Sequence, residues 1–169
     1  FRSVLGSSNL EHLLSEARTL IDLTHPNIVR VYDANMDSIR GVTFAYLTME
    51  YSPEGTLGNR LQTHRKLNPS EVLNLGIQVC RGLSYTHSMS PPLLHLDVKP
   101  SNLLLFDNEG DERVKLCDYG LASRLDFQSR LARSAGTLDF APPESAWGVS
   151  DERTDVYSLG IVLYLAMTG

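Results

Sequence analysis

Four residues in the second half of the chain, Asp97, Lys99, Asn102 and Asp118, have the types and spacing needed to move a phosphoryl group. That reaction needs a carboxylate to orient and deprotonate an attacking hydroxyl. It also needs oxygen ligands for a Mg2+ that neutralises phosphate charge. Asp97 suits the first task. Asn102, five residues on, is a neutral oxygen ligand, and Asp118 is a charged one. Lys99 follows Asp97 by two residues, on the same face of an extended segment, where a cation can stabilise charge on the transferred group.

These residues need elements to hold them, and the pattern supplies several. Ser8-Asn9-Leu10-Glu11 has the form of a capping box, and Leu10, Leu13, Leu14, Ala17 and Ile21 follow helical spacing. The spacing predicts a helix over 9–23, ended by Pro26. Residues 28–32 and 42–49 are rich in β-branched and aromatic side chains and read as strands around a polar turn over 33–41. Residues 52–55 form a linker by their turn chemistry. Asn68-Pro69-Ser70-Glu71 starts a second helix, because Asn caps, Pro takes the first helical position and Glu sits three residues past the cap. Val72, Gly76, Val79, Cys80, Leu83 and His87 trace its inner face, and it ends near Ser88. Two short apolar runs, 103–106 and 114–117, flank a polar turn over 107–112. Residues 121–139 show no period and read as a mobile surface segment. Residues 154–168 read as a helix apolar on most sides, hence buried.

The chain has 169 residues, the size of one ordinary domain, and a net charge of −5. That charge argues against a nucleic-acid partner, which calls for a basic face. The most apolar run, 159–167, is too short to span a bilayer. Cys80 and Cys117 are read as small core residues in a reducing, cytoplasmic compartment.

His95-Leu96-Asp97-Val98-Lys99-Pro100-Ser101-Asn102 resembles the catalytic loop of protein kinases, H-R-D-x-K-P-x-N. Asp118-Tyr119-Gly120 resembles their D-F-G metal-binding motif. Gly136-Thr137, Phe140 and Pro142-Pro143-Glu144 resemble the end of the activation segment. Residues 155–160 resemble the start of the buried central helix of the large lobe. Glu16, with 25–29 after it, resembles the αC helix and the strand that follows. Five such motifs in family order are far more specific than any one of them.

The resemblance implies an α+β, two-lobed kinase fold. It implies that 1–51 form part of the small lobe (αC, two strands and the start of the hinge). Residues 52–169 would then form the large lobe up to its central helix. By the same resemblance the chain is a fragment lacking a Gly-rich loop and a strand lysine to pair with Glu16, there being no Lys before Lys66. Residues 1–169 alone are then expected to be inactive. The implied activity is ATP- and Mg2+-dependent phosphorylation of Ser and Thr on protein substrates. Asp97 would be the base, Lys99 would contact the γ-phosphate, and Asn102 and Asp118 would hold Mg2+. Glu16 would complete the nucleotide clamp, and Thr137 would join Asp97 and Lys99. Met49 would be the gatekeeper, Glu50 and Ser52 would bind the adenine edge through their backbones, and Leu104 would pack beneath the ring. Leu20, Val31, His95 and Tyr119 match the stacked column between the lobes, with Asp155 at its base. Lys99 and Thr137 are similar to the Ser/Thr pattern, and the wording around Asp155 is most similar to bacterial kinases of the eukaryotic type.

Two other readings share these residues. One is a pseudokinase, a binding module of the same fold. The other is a small-molecule phosphotransferase of the aminoglycoside type, against which Lys99, Thr137 and Pro143-Glu144 argue. The sequence also departs from the family pattern. Leu96 replaces the usual Arg and cannot pair with a phosphate, so phosphorylation of Ser129 or Ser134 is not expected to be the main switch. Tyr119 replaces Phe and adds a hydroxyl that needs a partner when buried.

Overall fold

A computed structural model describes residues 14, 17–108, 110–119 and 138–169. The surface segment expected over 121–139 lies almost wholly outside them. Of the helix expected over 9–23, residues 14 and 17–19 are described and helical, with Leu14 and Ala17 buried, whereas 20–23 are turn and irregular chain, so the helix ends earlier than expected. The chain divides into two units, Phe1–Thr24 with Val29–Tyr51, and His25–Ile28 with Ser52–Gly169.

In the first unit, β1 (Val31–Ile39) pairs antiparallel with β2 (Val42–Met49), from Val31↔Met49 to Ile39↔Val42. The polar turn expected over 33–41 is a correction: it shrinks to Arg40-Gly41, and most of that stretch is strand. Both turn residues have positive φ, 52° and 76°, as a tight two-residue hairpin turn requires. Asp33, Asn35 and Asp37 are poor strand formers. Here each accepts a hydrogen bond from the next backbone N–H, at 2.9, 2.9 and 2.7 Å. A register irregularity between Val31 and Asp33 breaks strict alternation, so Val31 and Ala34 are the buried pair of β1.

In the second unit, α1 (Leu57–His64), α2 (Pro69–His87) and α3 (Glu152–Thr168) accompany a second hairpin, β3 (Leu103–Asn108) with β4 (Asp111–Leu116). The start of α2 is the one its sequence specifies. Asn68 accepts from the amides of Ser70 and Glu71, both at 3.0 Å, and the Glu71 carboxylate accepts from the Asn68 amide at 2.8 Å. Such a cap is worth about 1 kcal/mol. The helix α1 was not anticipated; Thr56 caps it by exchanging bonds with Asn59.

The core of this unit is built from β3, β4 and α2. Leu103, Leu105, Val114 and Leu116 are essentially inaccessible, as are Leu57, Val79 and Val162. Gly82 lets α2 come close, since a Cβ there would lie 2.9 Å from both the Asn27 carbonyl oxygen and a Leu116 methyl. A buried polar link binds the same layer. The Asn27 amide donates to Gln78 Oε1 and to the Val114 carbonyl, both at 2.9 Å, and the Val114 amide donates to Gln78 Oε1 at 2.9 Å. With these contacts His25–Ile28 joins the second unit.

Two burial expectations need correction. Cys117 is buried, but Cys80 is exposed, because one step past Val79 the helix turns it out of the apolar stripe. Likewise α3 is buried along one face only, at Thr154, Asp155, Ser158, Leu159, Val162 and Ala166. Val156, Tyr164 and Met167 are exposed, since α2 covers a single side of it. Among the described residues no helix is long and apolar enough to cross a membrane.

Candidate active site

The segment 95–102 is held from below by one buried carboxylate. Asp155, in the first turn of α3, is fully inaccessible. Its Oδ2 accepts the His95 backbone N–H at 2.8 Å and its Oδ1 accepts that of Leu96 at 2.7 Å. His87 Nε2 reaches Oδ2 at 2.8 Å. A buried carboxylate is costly unless it is paired and hydrogen-bonded, and three contacts meet that need. In exchange, two successive amides are drawn to one group, which bends the chain so that Leu96 has φ 60°. A left-handed non-glycine residue is strained and persists only where its surroundings fix it.

His95 fastens the next step. Its ring is fully buried; Nδ1 accepts the Asp97 N–H at 3.3 Å, and Nε2 faces the Cys117 carbonyl oxygen at 3.0 Å. Those partners require the neutral tautomer with the proton on Nε2. Burial lowers the His95 pKa, while Asp155, Asp97, the Cys117 carbonyl and Asp118 pull it up.

Asp97 projects from this frame. Lys99 Nζ lies 2.9 Å from its Oδ2. The Asn102 side-chain amide donates to Asp97 Oδ2 at 3.0 Å and to the Asp97 carbonyl at 2.9 Å. With its NH2 group so used, Asn102 keeps Oδ1 for a cation; the Ser101 hydroxyl touches that oxygen at 3.3 Å. The short turn Pro100–Asn102 closes through the Asn102 N–H to Lys99 carbonyl bond, 2.9 Å.

The hairpin brings Asp118 to this cluster. Leu103 pairs with Leu116, and one residue further along each strand the Cys117 N–H donates to the Asn102 carbonyl at 3.0 Å. Asp118 follows with φ 61°. Its carboxyl reaches solvent, yet its pKa is raised. The largest cause is loss of hydration against the protein; Asp97 adds to the rise, and His95 and Lys99 oppose it. Two oxygen ligands beside a second carboxylate fit a hard cation such as Mg2+, which takes one or two protein oxygens and completes its shell from phosphate and water.

The remaining residues expected at the site are placed as follows. Glu16 and Thr137 lie outside the described residues. In the first unit, Met49 ends β2, and the Glu50 N–H donates to the Arg30 carbonyl at 2.8 Å. In the second unit, Ser52 is buried and its hydroxyl bonds to the Leu105 and Gly55 carbonyls. Leu104 is half-buried and bridges to Thr56. Of the expected column, His95 and Tyr119 pack as a tilted ring pair, centroids 4.5 Å apart and planes at 48°, and Leu20 and Val31 are buried. Sequence reasoning placed His87 on the inner face of α2 but missed its contact with Asp155. A histidine on an apolar stripe near a helix end was the available signal.

Comparison with known proteins shows the family. A family model for the protein kinase domain matches residues 3–169, so the chain belongs to the protein kinase family. It is 36% identical over 158 residues to a probable serine/threonine-protein kinase of Streptomyces coelicolor, covering 90% of this chain and 23% of that protein. It is 34% identical to serine/threonine-protein kinase PknB of Mycobacterium leprae, covering 91% of this chain and 25% of that one. Aurora kinase A-B of Xenopus laevis is also 34% identical, with 100% of this chain and 40% of the relative covered. The chain thus spans well under half the length of these relatives.

Proposed function

We propose that this protein transfers the γ-phosphate of ATP to Ser and Thr hydroxyls of protein substrates. The observation that carries the reading is the grip on Asp97, whose carboxylate is met by Lys99 at 2.9 Å and Asn102 at 3.0 Å and lies close enough to Asp118 to help raise the Asp118 pKa. In this reading Asp97 orients the substrate hydroxyl and takes its proton. Lys99 turns from Asp97 toward the transferred phosphoryl group and offsets its charge. Asn102 Oδ1 and the Asp118 carboxylate hold Mg2+, which when bound neutralises phosphate charge.

By the family pattern, Met49, Glu50, Ser52 and Leu104 contact the adenine, Glu16 completes the clamp and Thr137 supports Asp97 and Lys99. Residues 1–51 and 52–169 are assigned to the two lobes. A cytoplasmic setting is supported by the free thiols of Cys80 and Cys117. The pseudokinase alternative is disfavoured because Asp97, Lys99, Asn102 and Asp118 are all retained. The test is phosphoamino-acid analysis of a general protein acceptor after incubation with full-length protein, γ-labelled ATP and Mg2+. Phosphoserine and phosphothreonine are expected. Phosphotyrosine alone, or label only in a small-molecule alcohol, would overturn the assignment.

A further inference from the structure

The segment that begins at Ser52 is fastened to β3 by a side chain. Leu105 is buried, and its partner across the hairpin, Val114, gives its N–H to Gln78 Oε1. The backbone groups of Leu105 are met instead from the other side of β3. Its N–H donates to the Gly55 carbonyl at 2.9 Å. Its carbonyl takes the hydroxyl of Ser52, which also lies 3.1 Å from the Gly55 carbonyl. Next along the chain, Thr56 forms an antiparallel bridge with Leu104.

A regular third strand would meet the Leu105 carbonyl with a backbone N–H. Residues 52–55 do not run as a strand. Pro53 has no N–H to give, and Gly55 turns the chain at φ 71°. The Ser52 hydroxyl takes the place of the missing amide. Ser52 is 9% exposed, so little water competes for that bond. Its own backbone N–H has no hydrogen-bond partner among the described residues, which leaves a donor for the edge of a ring. Leu104 lies between Leu103 and Leu105, both buried, and strand alternation turns it to the opposite face.

On the adenine contacts proposed above for Ser52 and Leu104, we infer that the Ser52 side chain is a positioning group for the nucleotide. Its hydroxyl pins the backbone at residue 52 to β3 and so fixes the adenine edge relative to Leu104. Without it the buried Leu105 carbonyl loses its donor. Residue 52 then keeps the longer bond from the Gly55 N–H to its carbonyl, 3.4 Å. Such a loss acts on binding in ground and transition state alike, so its signature lies in KM and not in kcat.

The test is steady-state phosphorylation of a protein acceptor by full-length Ser52→Ala at varied ATP and saturating Mg2+. The KM for ATP should rise about tenfold, which corresponds to about 1.4 kcal/mol, with a much smaller change in kcat. Calorimetry should show Mg2+·ADP binding weakened to a similar extent. An unchanged KM, or a kcat that falls as far as KM rises, overturns the inference. Leu104→Ala separates it from the adenine reading beneath it. If Leu104→Ala raises the KM for ATP and Ser52→Ala does not, the adenine reading stands and this inference alone falls. If neither variant changes KM, both fall.

Discussion

The chain contains two antiparallel hairpins that differ in almost everything except their pairing. The β1–β2 hairpin turns on two residues and keeps its strands through local bonds, with Ile39, Val42 and Tyr46 exposed near its turn. The β3–β4 hairpin buries Leu103, Leu105, Val114 and Leu116 almost completely. The open end of the second leads into the acidic and amide side chains of the candidate site. Pairing of Leu103 with Leu116 places Asn102 against Cys117 and so brings Asp118 to Asp97. A hairpin that must hold reacting groups in register needs a core on which to fix that register, because a one-residue slip moves every side chain to the other face.

The largest effects should fall at the open end of β3–β4. Asp118→Asn in the full-length enzyme should abolish measurable phosphate transfer and weaken Mg2+-dependent nucleotide binding in calorimetry, while nucleotide binding in chelator changes little. Undiminished turnover would detach the hairpin from the chemistry. Next is the core beneath it. Leu103→Ala should cost about 2–5 kcal/mol in denaturant unfolding, whereas Ile39→Ala, 59% exposed at the tip of β1, should stay within about 0.5 kcal/mol. Comparable losses at the two positions would erase the contrast between the hairpins.

Gly82→Ala tests how tightly α2 is pressed on β4 and residue 27. Its Cβ would meet a backbone oxygen at 2.9 Å, so a loss of about 1–3 kcal/mol is expected by the same unfolding assay. Gly41→Ala should cost less than Gly82→Ala. No atom lies within 4 Å of a Cβ there, and only the φ of 76° opposes the change, which points to about 1 kcal/mol. A loss at Gly41 exceeding that at Gly82 would mean that turn conformation outweighs packing in this chain.

What could be read from residue order follows the same division. Asn68-Pro69-Ser70-Glu71 specified the start of α2 because cap, proline and acid act within one turn. The apolar runs at 103–106 and 114–117 were visible on either side of a polar turn, and Asp97, Lys99 and Asn102 were visible because they lie within six residues. The rest depended on contacts that sequence spacing does not show. The strand over 33–39 was hidden because Asp33, Asn35 and Asp37 read as turn formers, and only the partner strand makes their backbone extended. The helix α1 was hidden because its capping partner is Asn59, a weaker signal than Glu or Gln. The hold of Asp155 on His95, Leu96 and His87 spans about sixty residues of chain. The exposure of Cys80 was a matter of one step around a helix.

Asp97, gripped by Lys99 and Asn102, is the residue proposed to take the proton of a protein hydroxyl during phosphoryl transfer. Its most direct test is the rate of phosphate incorporation into a protein acceptor by the full-length enzyme and its Asp97→Asn variant at equal, saturating Mg2+ and ATP. A general base of this kind is worth about 10²–10⁴-fold, so the variant should lose at least about a hundredfold in kcat while calorimetry shows Mg2+·ATP still bound. Equal rates for the two proteins, or no incorporation by either, would contradict it.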